Sequence, residues 1–227
     1  MTPRTVEILY QMIAFLFAIS VHESAHAWTA SRCGDPTARM LGRVSLNPIR
    51  HIDPIGTIVL PLVAAWTGFT VLGWAKPTPV DPRNFRNPVT DDILTSVAGP
   101  VSNFIVAIGA LLLLGGISRS SDSGHTLVGE LVAGGNGAAS GSALAFVGML
   151  LYALMKVNVV LAVFNLIPVP PLDGSHVLRH FLPDPVRMVY DRIGILGLLA
   201  LVYLGGGLLW RLILPVWYFY LSILVKF

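Results

Sequence analysis

The sequence predicts an all-α polytopic membrane protein with about five to six transmembrane helices and a re-entrant or short extended segment beside its functional centre. Two observations predict it. Of the 227 residues, 54% are hydrophobic and only 12% are charged, about half the charged share of an ordinary soluble domain, and mean hydropathy is +0.72. The apolar residues also gather into several runs of about 18 or more, the length a helix needs to cross a hydrocarbon core of about 30 Å. These features exclude a disordered chain and argue against a soluble globular enzyme. The length suits one compact bundle, so residues 1–227 are expected to form a single domain.

The apolar segments fall near 5–31, 54–72, 91–118, 141–168 and 191–210, followed by an apolar tail at 212–225. The first rises about 40 Å as a helix and crosses with some tilt. The second is shorter and is interrupted by Pro61, Gly68 and Gly73, so it is expected to dip into the bilayer and return. The stretch 119–140, rich in Gly, Ser and Ala, reads as a flexible loop. The tail is broken by Gly205-Gly206-Gly207, Arg211 and Pro215, which leaves open whether it spans twice or once with an interfacial piece. Its Trp and Tyr residues from Trp210 to Tyr220 read as an interfacial belt.

The net charge of +3 is not a nucleic-acid signature. The basic residues sit in short loops between apolar runs, where they orient a chain in a membrane. Three stretches carry them: Arg32, Arg39, Arg43 and Arg50; Lys76, Arg83 and Arg86; Arg179, Arg187 and Arg192. The 119–140 stretch holds only Arg119, beside Asp122 and Glu130. The three basic stretches are therefore expected on the cytoplasmic side, with 119–140 and the N-terminus outside. This parity requires 54–72 to enter and leave by one side. Cys33 is the only cysteine, which excludes a disulfide within the chain and a Cys-rich metal site. The first apolar run follows Arg4 as a signal peptide would, but no small-residue cleavage site follows it, and it carries the strongest motif in the chain.

That motif is His22-Glu23-Ser24-Ala25-His26. Four residues apart on a helix, His22 and His26 share one face and can close on one metal ion. Glu23 between them can act as general base towards water at the metal. A chance match or two surface histidines at a helix end is the plain alternative. Ile8 to Val21 are almost wholly apolar, however, and ionisable groups on a membrane helix are costly unless they line a functional site.

A third ligand is suggested by the run Asn165-Leu166-Ile167-Pro168-Val169-Pro170-Pro171-Leu172-Asp173-Gly174. Its three prolines forbid a regular helix, so irregular backbone is displayed at the edge of the apolar layer. Asp173 sits on it, either as a ligand or as the solvated acid of an Asp-Gly turn. Depth favours the ligand. His22 lies about 26 Å along its helix from the outer end, and Asp173 lies just past the inner end of its own. Two His and one Asp then complete the three-ligand set of a catalytic zinc.

In these residues the sequence resembles the site-2 protease family of intramembrane zinc metalloproteases. The likeness rests on His22-Glu23-x-x-His26, on Asn165-x-x-Pro168-x-Pro170-x-Leu172-Asp173-Gly174 and on Ala98-Gly99-Pro100-x-x-Asn103. It extends to Gly73-Trp74-Ala75-Lys76-Pro77 and to Leu46-Asn47-Pro48 through His51-Ile52-Asp53-Pro54, and so covers most of residues 20–180. The resemblance implies one Zn2+ per chain, held by His22, His26 and Asp173, with Glu23 as base and Asn165 polarising or holding the substrate carbonyl. It implies regulated hydrolysis of membrane-spanning protein substrates in the cell membrane, and the charge distribution puts the active site near the cytoplasmic side. Many relatives carry a PDZ or CBS domain, and neither is expected here.

Other residues are weaker candidates. Asn103 needs a partner, either a metal-site or substrate group or a plain interhelical hydrogen bond. Gly73 to Val80 reads as extended, and Lys76 and Pro77 on it are candidate substrate contacts by strand addition. His51, His176 and His180 are possible neighbours of the metal or ordinary polar residues of the cytoplasmic face. His125 belongs to the outer stretch. Two other functions use the same ligands: a metal transporter or sensor, and a catalytically silent relative that only binds membrane helices. The first lacks further His, Asp or Glu through the apolar runs after Asp91 and Asp92, and intact Glu23 argues against the second.

Overall fold

The structure, a computed structural model, describes residues 3–60, 62–63, 73–135, 142–204 and 206–227. Helix α1 spans Pro3–Cys33 and is followed by the short α2, Thr37–Met40. After a loop region come α3 (Pro88–Ser120), α4 (Asp122–Val132) and α5 (Ala143–Asn165). The chain closes with α6 (Asp173–Arg179), α7 (Asp184–Leu204) and α8 (Gly206–Leu224). No strand occurs among the described residues. Four helices among them are long and apolar enough to cross a membrane: Thr5–Cys33, Pro88–Ser120, Ala143–Asn165 and Gly207–Leu224. The protein is an all-α, multi-pass membrane protein.

Helix α3 packs most extensively against α5 and α1, and α1 packs against α5, so these three long helices form the centre. Their starts are specified locally. Pro88 opens α3, and Asp91 Oδ2 reaches back to accept the Asn87 amide at 2.7 Å. Ser142 caps α5 by accepting the Ala145 amide. Between α3 and α5 small and large side chains interdigitate, with Ala107, Ala110 and Leu114 against Met155 and Val159. Tyr220 and Leu224 of α8 close that core. Leu9, Ile13 and Phe17 of α1 and Ile105, Ile108 and Leu112 of α3 are exposed, as lipid-facing residues are.

Three expectations change. The 119–140 stretch is not simply a loop: residues 122–132 form α4. Ser121 caps it, and Leu127 and Leu131 pack onto Ala145 of α5, so burial outweighs the glycines. Residues 136–141 lie outside the described set. Of the breaks expected in the C-terminal tail, the Gly205-Gly206-Gly207 run does coincide with the boundary between α7 and α8, but Arg211 and Pro215 both lie inside α8. Helix α7 has 21 residues but carries Asp184, Arg187, Asp191 and Arg192 and is kinked at Gly194, where φ is +49°. The aromatic belt is only partly a belt. Trp210 and Tyr218 are exposed, whereas Tyr220 is buried and Trp217 stacks edge-on against Tyr152 at 5.6 Å.

Of the segment 54–72, residues 54–60, 62 and 63 are described. Pro54–Val59 forms a π-helical turn capped by Asp53. Trp74 N donates to Gly56 O at 3.2 Å, and Thr57 Oγ1 donates to Trp74 O at 2.7 Å. Gly56 and Thr57 therefore meet Trp74, and residues 61 and 64–72 between them lie outside the described set. Residues 73–80, beyond the segment, form neither helix nor strand, and Lys76 N donates to His51 O at 2.9 Å.

Two buried charges hold this loop region together beside the end of α1. Arg43 donates to the carbonyls of Arg50 and Pro77. Fully buried Asp35, two residues beyond α1, accepts the Asp81 amide at 2.8 Å, Asn84 Nδ2 at 2.9 Å, and both donors of Thr37. Burial alone would push the Asp35 carboxyl up, but the donors from Thr37, Asn84 and Asp81 outweigh it and hold the group below its ordinary value. A lowered folded-state pKa gives stability that is present above the unfolded value of about 3.9 and lost as pH falls through the folded one. Asp35→Asn, which replaces one acceptor oxygen with a donor, should therefore cost about 1–3 kcal/mol across pH 5 to 8. Thermal unfolding in detergent checks this. The wild type should lose its advantage only below about pH 4.

Candidate metal centre

His22 and His26 lie on one face of α1, and α6 brings Asp173 against them. Asp173 Oδ2 is 3.1 Å from His22 Nε2 and 3.4 Å from His26 Nε2, and the two Nε2 atoms are 3.0 Å apart. Both histidines are buried. This is the convergence expected from the sequence, and among the described residues it is the one group of three His, Cys, Asp or Glu that can close on an ion.

The outer nitrogens show what the inner ones offer. His26 Nδ1 is 2.7 Å from the Thr95 carbonyl, which only accepts, so Nδ1 carries the proton. His22 Nδ1 is 2.6 Å from Asn103 Oδ1, whose amide nitrogen is turned to the Ala18 carbonyl at 3.3 Å. His22 Nδ1 is then a donor too. In the neutral rings both Nε2 atoms then keep lone pairs, and they face a carboxylate oxygen, Asp173 Oδ2, that is buried without a hydrogen-bond partner. Three acceptors meeting with no donor among them repel one another unless a cation sits between them. Two imidazoles and one carboxylate are a donor set that suits Zn2+ and leaves a fourth position open.

Backbone geometry forces this arrangement. A Cβ on Gly99 would lie 2.4 Å from His26 Nε2 and 2.7 Å from His22 Nε2, so α3 can pass beneath the two rings only with hydrogen there. A Cβ on Gly174 would lie 2.3 Å from the Leu166 carbonyl, so the turn carrying Asp173 folds back on the end of α5 only with glycine. Helix α6 is held on α3 by Asp92, which accepts from His180 Nε2 at 2.7 Å and faces His176 Nδ1 at 4.0 Å. Tyr190 donates to Pro168 O at 3.0 Å, and Arg179 pairs with Asp191 at 3.3 Å, fastening the same turn to α7.

Glu23, next to His22, is fixed from the segment 73–80. Its Oε2 accepts Thr78 N at 2.9 Å and Thr78 Oγ1 at 2.7 Å. Asn165 ends α5 with one Nδ2 hydrogen on the Leu161 carbonyl at 3.0 Å, which leaves the second hydrogen uncommitted among the described contacts. Lys76 and Pro77 are exposed, and the Pro77 carbonyl is taken by Arg43. Asn103 is fully buried behind His22, so its contact is with the metal-site histidine and not with a surface open to substrate. His176 and His180 belong to the Asp92 clamp. His51 is buried on the Ser45 carbonyl at 2.7 Å, and His125 lies in α4.

Sequence reasoning missed Thr78, Thr95 and Asn158. Thr95 acts through its carbonyl, which leaves no trace in residue type. Asn158 did carry a signal: an amide inside a 23-residue apolar helix must find a buried partner.

The model of peptidase family M50 matches residues 10–205. YwhC of Bacillus subtilis, named as a candidate zinc metalloprotease, is 37% identical over 210 residues, 90% of this chain and 85% of that protein. Rip2 of Mycolicibacterium smegmatis, named in the same way, is 30% identical over 175 residues, 76% of this chain and 58% of that protein. The regulator of sigma-E protease RseP of Salmonella typhimurium is 30% identical over 118 residues, 48% of this chain and 26% of that protein. No solved structure matches the chain significantly.

Gly99→Ala should lower zinc affinity at least tenfold, measured by chelator competition. Alanine is the better helix former by about 1 kcal/mol, so helix content by circular dichroism should not fall. Unchanged zinc affinity would show that the rings have room the structure denies them.

Proposed function

Because the chain belongs to peptidase family M50 and is a zinc metalloendopeptidase, we propose that it hydrolyses peptide bonds of membrane-spanning protein substrates at one zinc ion per chain, held by His22, His26 and Asp173. The observation that supports this reading best is the meeting of three acceptor atoms from the C-terminal half of α1 and the start of α6, with Glu23 one residue from a ligand. The zinc would supply Lewis acidity, activating water and polarising a carbonyl.

The chain's own residues do the rest. Glu23 takes the proton of the attacking water and returns it to the leaving nitrogen. With Oε2 anchored by Thr78, its Oε1 is the oxygen that accepts no hydrogen bond among the described contacts. The uncommitted Nδ2 hydrogen of Asn165 is the donor for the developing oxyanion. Exposed Lys76 and Pro77 are substrate contacts on the segment 73–80. A helical substrate hides its carbonyls in internal hydrogen bonds, so it must unwind before attack, and helix-weak segments are preferred. The arginines on and after α2 and on α6 and α7 support a site near the cytoplasmic face of the cell membrane, where water reaches it over a short distance.

The test uses the full chain in detergent with zinc. The substrate is a fusion carrying one apolar span interrupted by Gly-Pro in its inner half. Glu23→Gln should keep its zinc and cleave at least a hundredfold more slowly, whereas His22→Ala and Asp173→Ala should lose both zinc and cleavage. Equal cleavage by wild type and Glu23→Gln would remove Glu23 from the mechanism, and full zinc in Asp173→Ala would remove the third ligand.

A further inference from the structure

We propose that Asn158, on α5, is a positioning residue for the metal centre: it sets the orientation of the Asn103 amide, and through it the tautomer and rotation of His22. The contacts form a chain through two fully buried amides. Asn158 Nδ2 donates to the Leu154 carbonyl at 2.8 Å, Asn158 Oδ1 accepts Asn103 Nδ2 at 2.7 Å, and Asn103 Oδ1 accepts His22 Nδ1 at 2.6 Å. Each orientation follows from the one before it. A carbonyl only accepts, so the Leu154 end fixes which way the Asn158 amide points, and Asn158 Oδ1 then fixes Asn103.

The second restraint on Asn103, its contact with the Ala18 carbonyl, is long at 3.3 Å, so Asn158 supplies the stronger one. If Asn103 turned over, its NH2 would face His22 Nδ1. The imidazole proton would move to Nε2, and a donor would point into the cluster of acceptors where a cation belongs. Three helices take part: α5 through Leu154 and Asn158, α3 through Asn103, and α1 through His22. The relay thus couples packing of the central bundle to the protonation state of a ligand, as groups behind metal-bound histidines commonly do. The inference rests on His22 being a zinc ligand, but its tautomer readout does not.

The experiment uses the full chain in detergent with 15N-labelled histidine, metal-free at alkaline pH, and His22 is assigned by its loss in His22→Gln. The wild type should show His22 with its proton on Nδ1. Asn158→Leu should shift it towards Nε2, and Asn158→Asp, which keeps the acceptor oxygen, should restore Nδ1. Zinc affinity by chelator competition should fall about tenfold in Asn158→Leu. In an Asn103→Leu background the same change should add nothing, because Asn158 acts only through Asn103. A wild-type His22 protonated on Nε2, or equal effects of Asn158→Leu in both backgrounds, would overturn the inference. Zinc affinity unmoved by His22→Ala would overturn the ligand assignment instead and leave the tautomer result standing.

Discussion

The structure depends on one electrostatic constraint: two imidazole lone pairs and a buried carboxylate oxygen meet inside the bundle. Unpaired polar groups in such a place cost several kcal/mol, so the arrangement persists only if the surrounding helices over-determine it and a cation completes it. Much of the bundle serves that end. Gly99 lets α3 lie against both rings, Thr95 and Asn103 hold their outer nitrogens, and Gly174 lets the Asp173 turn fold back on α5. The Asp92–His180 contact then fixes α6 to the helix that holds both rings.

The general base is set by a different part of the chain. Glu23 shares α1 with the histidines, but its carboxylate is anchored by Thr78, in the irregular segment between α2 and α3. That segment is placed by Arg43 at Pro77, by the His51 carbonyl at Lys76, and by Asp35 at Asp81. The ligands are thus held by helix packing and the base by a network of buried charges and backbone hydrogen bonds. Changes in the loop region should therefore affect turnover more than metal content.

What the sequence made legible, and what it hid, follows from the range of each interaction. The His22/His26 pair could be read because helical periodicity is local, and Asp173 because three prolines announce a break in the backbone. Helix α4 was hidden by its glycines, since its stability comes from Leu127 and Leu131 against Ala145, a contact that composition does not show. The glycine run Gly205-Gly206-Gly207 marked the boundary between α7 and α8, whereas Arg211 and Pro215, which also look like breakers, lie inside α8. The partners Thr95, Thr78 and Asn158 lie 69, 55 and 55 residues from the groups they touch, and only the fold brings them together.

The central claim is the ligand set, and X-ray absorption of the zinc-loaded full chain tests it most directly. The account predicts one zinc per chain with two imidazole nitrogens at about 2.0–2.1 Å, oxygen ligands at about 2.0–2.2 Å and no sulfur. A spectrum with a single imidazole, or with a sulfur at about 2.3 Å, would contradict it.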